Sequence, residues 1–122
     1  TIMLIVYASR QGKTEELVHA LQQPNSLKIE TGQEKVSEPF VLLTYTDKTG
    51  EIPEQVELFL KQNAEQLKAV VATGSIERHY ETFCFAGQKI ALEHKVPLLS
   101  TVNGRGSKAD EEKILEALSL LS

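Results

Sequence analysis

The amino-acid sequence predicts an α/β fold, a doubly wound five-stranded parallel sheet forming a single domain over residues 1–122. Three observations lead there. Short apolar runs recur along the chain and are continuous rather than alternating, as in strands buried on both faces. Segments with helical apolar spacing separate most of them, and crossovers of that kind join parallel strands and cover both faces of the sheet. A length of 122 residues with 41% hydrophobic content suffices for one core and not for two.

Residues 2–8 (IMLIVYA) are the most continuous β-branched run and the candidate central strand. The polar residues 9–14, with Gly12, break that run. Leu17, Val18 and Leu21 then recur at helical spacing until Pro24-Asn25 stops the pattern. Residues 27–30 alternate weakly and read as a short edge strand, followed by a polar, turn-like stretch over 31–39. Residues 40–45 (FVLLTY) form the next buried strand. Pro53 suits the first turn of a helix whose apolar stripe is Val56, Phe59, Leu60, Ala64 and Leu67. Residues 69–73 (AVVAT) give a third buried strand, and Phe83, Ala86 and Ile90 mark the helix that follows a longer loop. Residues 96–99 are the last strand, with Pro97 near its start, where an edge tolerates a missing donor. Ser107 and Asp110 resemble a capping box, and Ile114, Leu115, Leu118 and Leu121 line the closing helix.

The formal charge of −4 gives no basic excess, which argues against a sequence-independent grip on nucleic acid or on an anionic membrane. A lone Cys84, the lack of a long apolar run and the lack of a charged-then-apolar leader predict a soluble, cytoplasmic protein. His19, His79 and His94 are scattered and lack metal-ligand spacing. Cys84, between Phe83 and Phe85, reads as packing rather than as a nucleophile.

With strand order 2-1-3-4-5, the winding reverses beyond the C-terminal ends of the strands that begin at Ile2 and Phe40, and the loops beginning at Ser9 and Thr46 flank that crevice. Ser9, Arg10, Gln11, Gly12, Lys13 and Thr14 lie between a buried strand and a helix N-terminus, where backbone N–H groups lack intrahelical partners. A phosphate there would meet those donors, the Ser9 and Thr14 hydroxyls, and the charge of Arg10 or Lys13, with Gly12 allowing close approach. An ordinary polar turn with a Ser or Thr helix cap fits the same residues. Gly12-Lys13-Thr14 ends like a nucleotide-triphosphatase P-loop, but Tyr7 stands where that motif needs glycine. A phosphate-accepting receiver domain would need a carboxylate at the end of residues 42–45, and none is there. His79 and Tyr80 follow the third buried strand, where their rings could stack on or hydrogen-bond to a flavin, or sit in a solvated loop.

Residues 7–14, then Leu43-Thr44-Tyr45-Thr46 with Gly50 and Ile52-Pro53, then Ala72-Thr73-Gly74, residues 83–87 and Lys95-Val96-Pro97-Leu98-Leu99 together resemble the NrdI family over nearly the whole chain. The resemblance implies a flavodoxin-like FMN protein, an accessory redox flavoprotein rather than a self-contained enzyme. Its reduced FMN would react with oxygen to give superoxide, which activates the dimanganese-tyrosyl radical cofactor of class Ib ribonucleotide reductase. The implied partners are the radical-bearing small subunit and a flavin-reducing protein. Carried over by position, Ser9, Gln11, Gly12, Lys13 and Thr14 would hold the FMN phosphate. Tyr45, Thr46, Asp47, Lys48, Thr49 and Gly50 would meet one side of the flavin ring, and Gly74, Ser75, His79 and Tyr80 the other. Two stretches depart from the family pattern. Residues 73–81 (TGSIERHYE) stand where the family has Ser-Gly-Asn-x-x-Trp/Phe-Gly-Asp, and Val102-Asn103-Gly104 stands for its Phe-Glu-Leu. A general flavodoxin-like electron carrier, and a non-flavin interaction module on the same fold, are the other readings this pattern allows.

Overall fold

The structure is a computed structural model that describes residues 4–8, 13–22, 25–45, 52–74, 85–103 and 106–121. Along the chain run β1 (Leu4–Tyr7), α1 (Lys13–Leu21), β2 (Ser26–Lys28), β3 (Phe40–Tyr45), α2 (Glu54–Asn63), β4 (Leu67–Gly74), α3 (Phe85–His94), β5 (Leu98–Asn103) and α4 (Lys108–Leu121). The five strands form one sheet in the order β2-β1-β3-β4-β5, and all four strand pairings are parallel. Among the described residues no helix is long and apolar enough to cross a membrane.

Side-chain alternation along the central strands splits the core into two layers. Leu4, Val6, Phe40, Leu42 and Val70 face α2 and α3, where they meet Val56, Phe59, Leu60, Ile90 and Ala91. Ile5, Tyr7, Val41, Leu43, Ala69 and Val71 face α1 and α4, against Leu17, Val18, Leu21, Ile114 and Leu118. Phe40 and Phe59 pack edge to face with ring centroids 5.5 Å apart. Burying a side chain such as Phe59 completely contributes about 2–3 kcal/mol. Gly87 on α3 rides directly over β4: a Cβ there would lie 2.3 Å from Ala72 Cβ, so a side chain at this position would push α3 off the sheet.

Element ends follow local chemistry. The predicted capping box forms at the start of α4, where the Ser107 backbone N–H donates to Asp110 Oδ2 at 2.9 Å and the Asp110 N–H to Ser107 Oγ at 3.3 Å. Pro53 is the residue before α2 rather than within its first turn, and its carbonyl accepts from the N–H groups of Val56 and Glu57. The stripe predicted for α2 ran too far: the helix ends at Asn63, a 3-10 turn covers Ala64–Gln66, and Leu67 opens β4. Phe40 pairs with Leu67 but Val41 with Ala69, so Lys68 is an extra, exposed residue that lets Leu67 and Val70 share a face. β5 begins two residues later than the 96–99 prediction and runs on to Asn103, pairing with Gly74. Val102 and Asn103 therefore belong to the strand rather than to the loop after it.

The connection from β2 to β3 is fastened to α2 by a saturated polar network. The Glu34 carboxylate accepts the backbone N–H groups of Glu30, Thr31 and Gly32 at 2.9–3.2 Å. Asn63, buried, donates both side-chain hydrogens, to the carbonyls of Glu34 and Phe59, and accepts from the Val36 N–H. Burial, the largest single influence on the Glu34 carboxyl, pushes its pKa up, yet the backbone donors of Glu30, Glu34, Thr31 and Gly32 together hold it below the usual 4.5.

Candidate functional site

Parallel strands carry every C-terminal end to one edge, and β1 sits between β2 and β3 at the point where the winding changes direction. The chain leaves β1 for α1 on one face of the sheet and leaves β3 for α2 on the other, and in open α/β sheets ligands bind beyond the strand ends at such a switch point, here past Tyr7 and Tyr45. α1 starts at Lys13 on this edge, and its nine residues align the positive ends of their peptide dipoles toward it. First-turn N–H groups without intrahelical carbonyl partners suit an anion. Such a donor set fits the phosphate end of a nucleotide.

Three threonines tie this helix start to the sheet. Thr14, Thr73 and Thr44 are all buried, being 3%, 2% and 0% exposed. Thr14 Oγ1 lies 2.9 Å from Thr73 Oγ1, and Thr73 Oγ1 donates to the Thr44 carbonyl oxygen at 3.2 Å. Thr44 Oγ1 in turn donates to the Tyr45 carbonyl at 3.0 Å. Thr14, at the start of α1, is thereby joined, through β4, to the end of β3. Its partners Thr73 and Thr44 were not among the candidate site residues. The signal for them is a hydroxyl near the end of two adjacent, otherwise apolar runs, FVLLTY and AVVATG.

Charges next to the helix start are compensated. Glu15, in the first turn of α1, pairs with Lys28 of β2 at 3.1 Å and accepts from the Tyr7 hydroxyl at 3.4 Å. The hydrogen bond and charge of Lys28 hold the Glu15 carboxyl below its usual range, and Glu15 holds Lys28 above its own. Burial first, and then the charge of Glu15, raise the Tyr7 hydroxyl above 10.0, so it remains a donor at neutral pH. A carboxylate that would repel an anion at the helix start is thus engaged by a cation and a phenol.

Of the other candidates, Tyr45 ends β3 half-buried, paired with Thr73 on β4, and its hydroxyl accepts from Gln55 Nε2 of α2 at 3.0 Å. Lys13 is the first residue of α1, and Gly74 closes β4 opposite Asn103. Ser9, Arg10, Gln11, Gly12, Thr46, Asp47, Lys48, Thr49, Gly50, Ser75, His79 and Tyr80 lie outside the described residues, as do Phe83 and Cys84. His19 is exposed on α1, beside an open groove of about 490 Å³ that Glu16 and Glu111 also line. His94 is half-buried at the end of α3.

The doubly wound parallel sheet, with its switch point between β1 and β3, defines a flavodoxin-like protein. The structure resembles a short-chain flavodoxin associated with a non-canonical PDU bacterial microcompartment, with a TM-score of 0.64 and 15% identity over 98% of this chain and 95% of that one. It also resembles a flavodoxin variant of Fusobacterium nucleatum bound to flavin mononucleotide, with a TM-score of 0.62 and 16% identity over 97% and 93% of the two chains. At the level of sequence, residues 5–116 match the family described as NrdI flavodoxin-like. The chain is 35% identical to the protein NrdI of Bacillus licheniformis across 108 residues, 88% of this chain and 81% of that relative. It belongs to the NrdI flavodoxin-like family.

Proposed function

We propose that the chain is an NrdI flavoprotein that binds FMN at the C-terminal edge of the sheet and supplies superoxide to the dimanganese-tyrosyl radical site of a class Ib ribonucleotide reductase small subunit. The observation that carries this reading is the family match over residues 5–116, joined to a helix start at the switch point that offers anion donors. FMN held there would provide one- and two-electron redox chemistry and, when reduced, reactivity toward dioxygen. The rest is the work of the chain. Ser9, Gln11, Gly12, Lys13 and Thr14 hold the phosphate with backbone N–H groups, hydroxyls and the α1 dipole, and Arg10 adds charge. Tyr45 with residues 46–50 lies along one side of the ring, and Gly74, Ser75, His79 and Tyr80 along the other. A flavin-reducing protein and the reductase subunit approach the open edge, and the protein works in the cytoplasm on this reading.

Absorption spectra with and without FMN test the cofactor, and no flavin spectrum on titration would sink the proposal in favour of a non-flavin module. Anaerobic reductive titration comes next. Ready passage to the fully reduced flavin is expected; a large population of the one-electron-reduced form, with a much harder second electron, points instead to a general electron carrier. Tyrosyl radical yield in a class Ib small subunit loaded with Mn(II), measured with and without the reduced protein under oxygen, tests the final step.

A further inference from the structure

Each hydroxyl in the buried threonine chain has one hydrogen to give. The Thr44 carbonyl can only accept, so Thr73 spends its hydrogen there, 3.2 Å away. While Thr73 donates there, the 2.9 Å contact between Thr14 Oγ1 and Thr73 Oγ1 runs one way: Thr14 donates and Thr73 accepts. The Thr14 hydrogen is therefore committed to the protein, and toward the crevice its oxygen has only lone pairs left. A phosphate, which has no spare donor when dianionic, cannot bond to that oxygen until the Thr14 hydroxyl turns away from Thr73.

We propose that Thr73 is a placeholder acceptor: it accepts from the Thr14 hydroxyl and must be displaced for Thr14 to donate to the flavin phosphate. Thr73 thus sets how strongly the site prefers a phosphorylated flavin over an unphosphorylated one. The inference rests on the reading that FMN binds with its phosphate at the start of α1. Its energetic consequence follows from counting bonds. In the native chain a Thr14-phosphate bond replaces a Thr14–Thr73 bond, whereas without the Thr73 hydroxyl the Thr14 donor loses its side-chain partner among the described residues until phosphate arrives. A buried orphan is costly, and binding relieves that cost.

The test compares FMN with riboflavin, which differs by the phosphate alone, in equilibrium fluorescence titrations of native protein, Thr73→Val and Thr73→Ser. Thr73→Val keeps the shape and removes the acceptor. Its ratio of riboflavin Kd to FMN Kd is expected to rise about five-fold, close to the value of one neutral hydrogen bond, while its thermal midpoint without flavin falls. Thr73→Ser restores the acceptor and should return the ratio to the native one. A Thr73→Val ratio that is unchanged or lower overturns the proposal, since a merely structural Thr73 would weaken both flavins alike. Should Thr73→Val fail to fold, Thr73→Ala and Thr14→Val decide it: the first is expected to raise the ratio, and the second to lower it and to cancel any effect of a Thr73 change added to it. Native protein that binds no FMN would overturn the functional reading and this inference with it; native protein that binds FMN, with an unmoved ratio in the variants, overturns the inference alone.

Discussion

Two polar networks in this molecule, one centred on buried Asn63 and one on buried threonines, are built on different accounting. Around Asn63, both hydrogens and the oxygen of one amide meet backbone groups, and the adjacent Glu34 carboxylate gathers three backbone donors. The threonine chain at the start of α1 holds its groups in series, through single hydroxyls, and ends on a rotor. A side chain whose donors and acceptors are all met by backbone fixes a loop and has nothing to exchange. A hydroxyl at the end of such a series can turn away at the cost of one bond, which suits an edge proposed to take a ligand.

The largest expected effect breaks the saturated network. Asn63→Ala leaves the Val36 N–H and the Glu34 carbonyl without side-chain partners beneath a packed loop. A loss of about 3 kcal/mol, three bonds at about 1 kcal/mol each, should appear in urea denaturation. The riboflavin-to-FMN ratio should hold steady, because the network touches none of the candidate site residues. A shift in that ratio would erase the distinction drawn between the two networks.

Gly32 sits inside the same loop with φ +89°, and a Cβ there would lie 2.7 Å from both the Gln55 carbonyl oxygen and Leu58 Cβ. Gly32→Ala combines left-handed strain with a clash against helix backbone, and about 2–3 kcal/mol of stability should be lost. A smaller loss would mean that the loop relaxes away from α2 and that the Asn63 bonds are less binding than their geometry indicates.

How much of this was legible in the sequence depends on burial. β1 and β3 are enclosed on both faces, and their continuous apolar runs announced them. β5 is an edge strand whose Ser100 and Thr101 dilute the apolar signal, so its run was cut short at residue 99. The spacing Leu60, Ala64, Leu67 carries a helical period across a 3-10 turn and into β4, and periodicity alone cannot tell a helix that continues from one that stops. The site divides in the same way. A hydroxyl and glycine loop between a buried strand and a helix is a local pattern, so Thr14 could be picked out. Its link to Thr73 spans 59 residues and that of Thr73 to Thr44 spans 29, distances that only the folded sheet closes.

Acid probes the Glu34 arm. Its carboxyl is held below 4.5 in the folded protein, so the stability it contributes is complete above the unfolded value and is lost as pH falls through the lower folded value. Glu34→Gln keeps one acceptor oxygen and removes the charge. It should cost about 1 kcal/mol at neutral pH and flatten the decline in stability below pH 4.5 relative to the native chain. An acid limb of equal steepness in both proteins would assign that decline to other carboxylates.

The smallest expected effect separates backbone from side chain within the threonine chain. Thr73 bonds to the carbonyl of Thr44, which any residue at that position would supply, whereas among the described residues Thr44 Oγ1 donates to the neighbouring Tyr45 carbonyl alone. Thr44→Val has nearly the same shape, prefers a strand and, among the described residues, deletes a donor without taking a partner from any other side chain. It should change stability by less than about 1 kcal/mol in urea denaturation, well below Asn63→Ala, although both residues are buried and polar. A loss as large as that of Asn63→Ala would mean that the Thr44 hydroxyl holds the end of β3 in place, and the chain would then count as architecture along its whole length.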